Sequence, residues 1–379
     1  MRKILSLSLL SLALTAQADF QPEATGIIKT LPNEYPDHWV MIHDASFFHM
    51  FEGEVLVVDP LGADIGGQYK GMMTASFIAS YVWNEARNEH YVIETFNARG
   101  SRGGERTDLV AIYDTENLSL VQEIIIPPKR ISGMPKKAAV SLLGGGKFLG
   151  VYNFTPGQSV SIVNLESREF VAEIPTAGCG FVIPNGERSF TSICSNGSFL
   201  TTHLNEDGTA AGTTKTDVSF DVDNDPIFET LGIVDGVAYF PTFAGNVLPV
   251  DVSGEEISVG EQWSLLGDGD EGWRPGGMNI IQVDSSGLAH VLVHPEGGEG
   301  THKNGGGEVW SYDMKAKQRV ARLELKNWGI SLGTTGTGEG RLLLVTNADM
   351  GIDVYRLENG EFVHTIGAGQ TPFLSHGVR

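Results

Sequence analysis

The sequence predicts an all-β fold, a seven-bladed β-propeller of four-stranded blades. Three observations carry this expectation. Helical periodicity is almost absent: apolar residues alternate, or cluster in short runs divided by Gly, Asn, Asp and Pro. Glycine is abundant, with 48 residues, as a chain of many tight turns requires. One strand–turn–strand unit recurs along the chain at the period of a propeller blade.

The unit is a strand, often ending in Asp or Asn, followed by a polar turn and a second strand. Val55–Asp59 (VLVVD) opens the series, and Leu109–Asp114 (LVAIYD) and Val160–Asn164 (VSIVN) follow. The anchors Asp59, Asp114, Asn164, Asn205, Asp251, Asp313 and Leu357 are spaced by 55, 50, 41, 46, 62 and 44 residues. Two further strands precede each unit after the first; in the last they are Gly329–Thr335 (GISLGTT) and Arg341–Asn347 (RLLLVTN). A repeat of roughly 40–50 residues with four strands is the signature of a blade. A small twisted sheet with two apolar faces cannot bury both alone, so blades pack in a ring.

The ends predict how the ring closes. The first unit has only one strand ahead of it, His38–Asp44 (HWVMIHD), while Pro372–Val378 (PFLSHGV) is left over after the last. The terminal strand is therefore expected to become the innermost strand of the first blade, which removes a sheet edge. No linker rich in Pro, Ser or Gly splits the chain, so residues 19–379 read as one domain, with 19–37 as an N-terminal extension.

Residues 1–18 read as a signal peptide. Arg2 and Lys3 precede an apolar stretch from Ile4 to Leu14, and Ala16-Gln17-Ala18 has the small-x-small pattern of a cleavage site. The apolar run is too short to span a bilayer. The expected location is the periplasm. The formal charge of −21 becomes −23 once Arg2 and Lys3 are removed. Such an acidic surface repels nucleic acid and anionic lipid and favours solubility.

Cys179 and Cys194 are the only cysteines and flank Pro184-Asn185-Gly186. This spacing suits a bridge across a hairpin, and a two-cysteine metal site lacks further ligands nearby. No His-Glu-x-x-His, Cys-x-x-Cys-His or Gly-x-Ser-x-Gly motif occurs, so no catalytic residue and no metal is assigned. His290 and His294 lie on one strand, roughly 13 Å apart along it, too far to share a metal, and read as surface residues. Asp221-Val-Asp-Asn-Asp225 lacks the glycine and distal glutamate of a calcium loop and reads as a solvated loop, as does Gly267-DGDEG. Gly104-ERTD108 reads as an inter-blade ion pair. Trp273, Arg274, Pro275, Gly276 and Gly277 form either a structural turn or a partner contact. Phe47, Phe48, Met50 and Phe51 crowd one hairpin loop of the first blade. Such a cluster marks an interface or ligand channel, or a loop that buries itself over the end of the propeller.

Taken together, the segments VMIHDASFF, GERTDLVAIYD, SVSIVNLESREF, GCGFVIPNGERSFTSICSNGS and DGDEGWRPGG resemble the heavy subunits of quinoprotein amine dehydrogenases. The likeness runs over nearly the whole chain after residue 18. It implies a seven-bladed propeller without a cofactor of its own. A light (small) subunit then carries tryptophan tryptophylquinone, and primary amines are oxidised to aldehyde and ammonia. The resemblance further implies an assembly of two heavy and two light chains, with a blue copper protein or a cytochrome as electron acceptor. A heavy-chain phenylalanine of the family reaches the light chain's substrate channel; the matching position is Phe48, with Phe47 one residue away. Cys179 and Cys194 match the family's heavy-chain disulfide, and Trp273 to Gly277 match its WRPGG segment. The stretch from His294 to Trp310 departs from the family in its glycine content. The competing functional classes are a non-enzymatic periplasmic scaffold or binding protein and a stand-alone propeller enzyme with a metal or cofactor in its axial channel.

Overall fold

A computed structural model describes residues 30–48 and 50–378. The expected signal segment and the first part of the extension lie outside the described residues. The chain is an all-β propeller of four-stranded antiparallel blades.

Five sheets stand separately and one is eight-stranded. The second sheet runs outward through Ser80–Asn84, Glu89–Asn97, Arg106–Asp114 and Leu120–Ile126. The third runs through Val140–Leu143, Phe148–Asn153, Ser159–Asn164 and Glu169–Pro175. The fourth spans Cys179–Asn185 to Ala210–Lys215, and the fifth starts at Gly232–Val234. The eight-stranded sheet owes its size to one long strand, Gln318–Thr335. Its first part, Gln318 to Glu324, pairs with Gly306–Asp313 as an outer strand. Its second part, Gly329 to Thr335, pairs with Leu342–Asn347 as an inner one. A continuous strand thus replaces the break expected between the last two units.

The recurring Asp and Asn anchors have a local cause. The Asp114 carboxylate accepts from the backbone N–H groups of Glu116 and Asn117, and Asn164 does the same for Glu166 and Ser167. Asp313 accepts from Lys315 and Ala316. Each of these three closes an Asx turn between the third and fourth strands of its blade, which polar residues of this length favour.

The ring closes as the surplus strand predicts. Pro372–Gly377 pairs antiparallel with Val40–Asp44, and the first sheet continues through Glu52–Val58 and Tyr69–Ser76. Alternation along Val40–Asp44 sends neighbouring side chains to opposite faces. Met41 packs toward the second sheet with Tyr81, Val92 and Leu109. Val40 and Ile42 pack toward the end of the chain with Leu342, Leu344, Ile352 and Val354. The core is thus a set of apolar layers between neighbouring sheets. The described part of the extension crosses the rim, where Tyr35 is buried against Trp39 and Trp83.

Two expectations are corrected. His290 and His294 are buried, because their strand, Ala289–His294, is interior to its sheet and covered on both faces. His290 bonds Ser311 and Asp284, and His294 bonds Thr301. The Arg106–Asp108 pair does not join blades. Both residues lie on one strand, where two 2.8 Å bonds link guanidinium to carboxylate. Asp108 instead reaches the neighbouring connection by accepting from the Arg130 backbone N–H.

Candidate functional site

Strands alternate in direction across each blade, so two kinds of connection share one face of the ring. These are the turn after the second strand from the axis and the crossing from an outer strand to the next inner strand. The aromatic loop after Val40–Asp44 is of the first kind. Phe96 ends the equivalent strand of the second sheet, Phe154 follows that of the third, and Trp328 lies in a crossing. All of these rings are exposed, as are Met50 and Phe51. The face therefore carries large apolar side chains that the fold itself does not cover, a pattern associated with interaction surfaces.

The loop is held rigidly at its base. The buried Asp44 carboxylate accepts from the backbone N–H groups of Ser46, Gln370 and Thr371 and from the Thr371 hydroxyl. The Thr371 hydroxyl oxygen accepts from the Phe47 backbone N–H at 2.9 Å. Ser46 and Met50 adopt left-handed φ values of 48° and 52°, which turn the chain sharply. Phe47 leans on Phe373 of the closing strand, with ring centroids 6.1 Å apart. Phe48 meets Phe47 edge-on at 5.9 Å and is 66% exposed. The loop does not bury itself: it presents Phe48 outward from an anchored base.

Beside it, a groove of about 480 Å³ runs between the first and second sheets, lined by Met50, Phe51, Phe77, Thr95 and Phe96. Polar groups lie below. The Ser76 hydroxyl, also on the groove, accepts from the Thr95 backbone N–H. The buried Arg130 guanidinium donates to the carbonyls of Ile78 and Ile131. Burial pushes the Glu94 carboxyl up to about 7 and the His43 imidazole down to about 4. Both ring nitrogens of His43 lack a partner. Among the described residues, no group of His, Cys, Asp or Glu is placed to hold a metal ion.

The remaining sequence-derived residues lie elsewhere. Cys179 and Cys194 are register partners across a hairpin and form a disulfide. Trp273 stacks obliquely on Trp310, with the Arg322 guanidinium over both rings. Arg274 and Pro275 pair with His294 and Val293. A side chain on Gly276 would collide with the His294 ring, and one on Gly277 with the Ile330 carbonyl. Pro275, Gly276 and Gly277 are buried, so this part of the segment is packed inside the fold. The Asp221 and Asp225 carboxylates are taken up by turn and inter-loop hydrogen bonds.

The profile of the methylamine dehydrogenase heavy chain (MADH) family matches residues 37–376. The chain belongs to this family. The heavy chain of Methylorubrum extorquens is 25% identical over 276 residues, 70% of this chain and 66% of that one, just under two thirds of its length. That of Methylophilus methylotrophus is 23% identical over 353 residues, 88% of this chain and 82% of its own. Among solved structures, a periplasmic gluconolactonase of Pseudomonas aeruginosa superposes with a TM-score of 0.59 at 13% identity. It covers 90% of this chain and 99% of its own, a likeness of fold alone.

Sequence reasoning singled out Phe47 and Phe48 but missed Phe96, Phe154 and Trp328. Each sits alone in its segment and joins the others only through the ring. A count of which turns share a face would have found them.

Proposed function

We propose that this chain is the heavy subunit of a periplasmic, tryptophan tryptophylquinone-dependent amine dehydrogenase. In this reading the eight-stranded sheet counts as two blades, split within Gln318–Thr335, and the propeller has seven. The observation that carries the proposal, beside family membership, is the anchored loop that holds Phe48 outward on the apolar face. A light subunit docks there, in an assembly of two heavy and two light chains. Phe48, with Phe47 behind it, forms one wall of the light chain's substrate channel. When bound, the light chain's quinone supplies the oxidation of a primary amine to aldehyde and ammonia; this chain supplies binding and access. Electrons leave to a blue copper protein or a cytochrome. Residues 273–277 serve structure, since their contacts lie within the fold.

The test is purification of the protein from its native periplasm under growth on amines. The expected result is a co-purifying small subunit with a covalent quinone absorbance that added amine bleaches. A propeller that elutes alone and colourless would overturn the proposal in favour of a scaffold role.

A further inference from the structure

We propose that the axial channel contains a binding site for a small organic carboxylate, with Lys137 as its cation. The site is separate from the aromatic loop and does not rest on the amine dehydrogenase reading. A cavity of about 180 Å³ opens where the inner strands of the third, fourth and fifth sheets converge. Its polar lining includes Lys137 and Thr230, and its apolar walls are Val182, Ile183, Leu231 and Ile233.

Lys137 lies in the short turn that leads into the innermost strand of the third sheet. Its ammonium donates to the Gln282 side-chain oxygen at 2.8 Å. Gln282 belongs to the inner strand Ile281–Val283 of the eight-stranded sheet, across the axis. That partner is neutral. The carboxylate at the cavity, Glu229, is instead paired with Lys136 at 2.7 Å and is half exposed. Lys137 is half-buried, and a cation partly withdrawn from water without a counter-charge is costly; burial accordingly lowers it to about 7. A second base, His376, lies nearby; burial first, and then the Lys137 charge, hold its imidazole well below the usual range, and its Nε2 is buried without a partner. The Thr230 hydroxyl is likewise buried and unpartnered, in a residue only 7% exposed. The lining of a built cavity thus holds an ammonium and an unpartnered hydroxyl, while its one carboxylate is already paired with Lys136.

The walls select among anions. Sulfate or phosphate would leave oxygens facing four aliphatic side chains, unsatisfied. A carboxylate places its charge at Lys137 and Thr230 and its carbon tail against the valine, leucine and isoleucines. The volume equals about six waters at roughly 30 Å³ each, which suits an acid of about four to six heavy atoms.

The experiment is a calorimetric titration of the purified protein, with whatever subunit accompanies it, using butyrate, sulfate and n-butanol. Butyrate should bind saturably at one site per chain, at least tenfold more tightly than sulfate or the uncharged alcohol. Lys137→Met should weaken butyrate at least tenfold without lowering the melting temperature. Lys315→Met, at an exposed lysine away from the cavity, should change it less than twofold. Thr230→Val removes the hydroxyl alone and should weaken binding severalfold, which keeps the test open if Lys137→Met does not fold. Equal affinity for sulfate and butyrate, undiminished binding in both channel variants, or no saturable binding would each overturn the proposal.

Discussion

The most direct perturbation of the proposed interface is Phe48→Ala. The ring is 66% exposed in this chain. A buried aromatic side chain removes about 200 Å² from water, so docking can cover about 130 Å² here. At about 25 cal/mol per Å² this is worth about 3 kcal/mol, an upper bound for the affinity lost on truncation. The heavy–light dissociation constant should therefore rise by about 30- to 150-fold. The isolated heavy chain should melt within a degree or two of the parent, because the exposed ring contributes little to folding. Sedimentation equilibrium of the recombined subunits measures the first quantity and differential scanning calorimetry the second. If the complex still assembles, the ratio of kcat/KM between a small and a bulky amine should shift by about 1–3 kcal/mol. An unchanged dissociation constant together with an unchanged ratio would refute the reasoning, because nothing then rests on the exposed ring.

Two further outcomes are expected. Replacing Cys179 and Cys194 by serine should cost roughly 3 kcal/mol, the loop-closure contribution of a bridge spanning 15 residues, read as a lowered urea midpoint; the denatured, unreduced parent should contain no free thiol. Glu94 is held at about 7 by burial, against 4.5 for the free group, so the folded chain binds its proton more tightly and this group's contribution to stability falls as pH rises from about 4.5 through 7. Glu94→Gln should therefore gain about 3 kcal/mol relative to the parent between pH 4 and pH 8 in urea unfolding, and a pH-independent difference would contradict the assignment.

The blades were legible because their cause is local. An Asp or Asn closing an Asx turn between two apolar strands leaves a mark in the sequence, as at Asp114, Asn164 and Asp313. Closure by Pro372–Gly377 was legible by counting strands. The run-through of Gln318–Thr335 was not, because Asn327, Trp328 and Gly329 look like a break and the extended path is imposed by partners on either side. His290 and His294 were misread for a related reason. Alternation places them on one face, but only the stacking of sheets decides that this face is covered. The aromatic loop was legible as a dense cluster, whereas Phe96, Phe154 and Trp328 become neighbours only in the ring. Lys137 carried no signal, since a lone lysine is ordinarily a solvated side chain and its neutral partner, Gln282, is supplied only across the axis.

Closure of the ring has a consequence for biosynthesis. The contacts of Asp44 with Gln370 and Thr371 span more than 300 residues, and Leu374 pairs with His43. Every blade after the first can complete itself from strands already made, but the first waits for the last segment to be translated. Until then Val40–Asp44 remains an open template at the inner edge, and the layer formed by Val40, Ile42, Leu342 and Ile352 has only one side. Acquisition of the native state is thereby tied to chain completion. A polypeptide interrupted before residue 372 lacks the strand that seals the circle, and the cell's proteases meet it with its first-made strands still exposed.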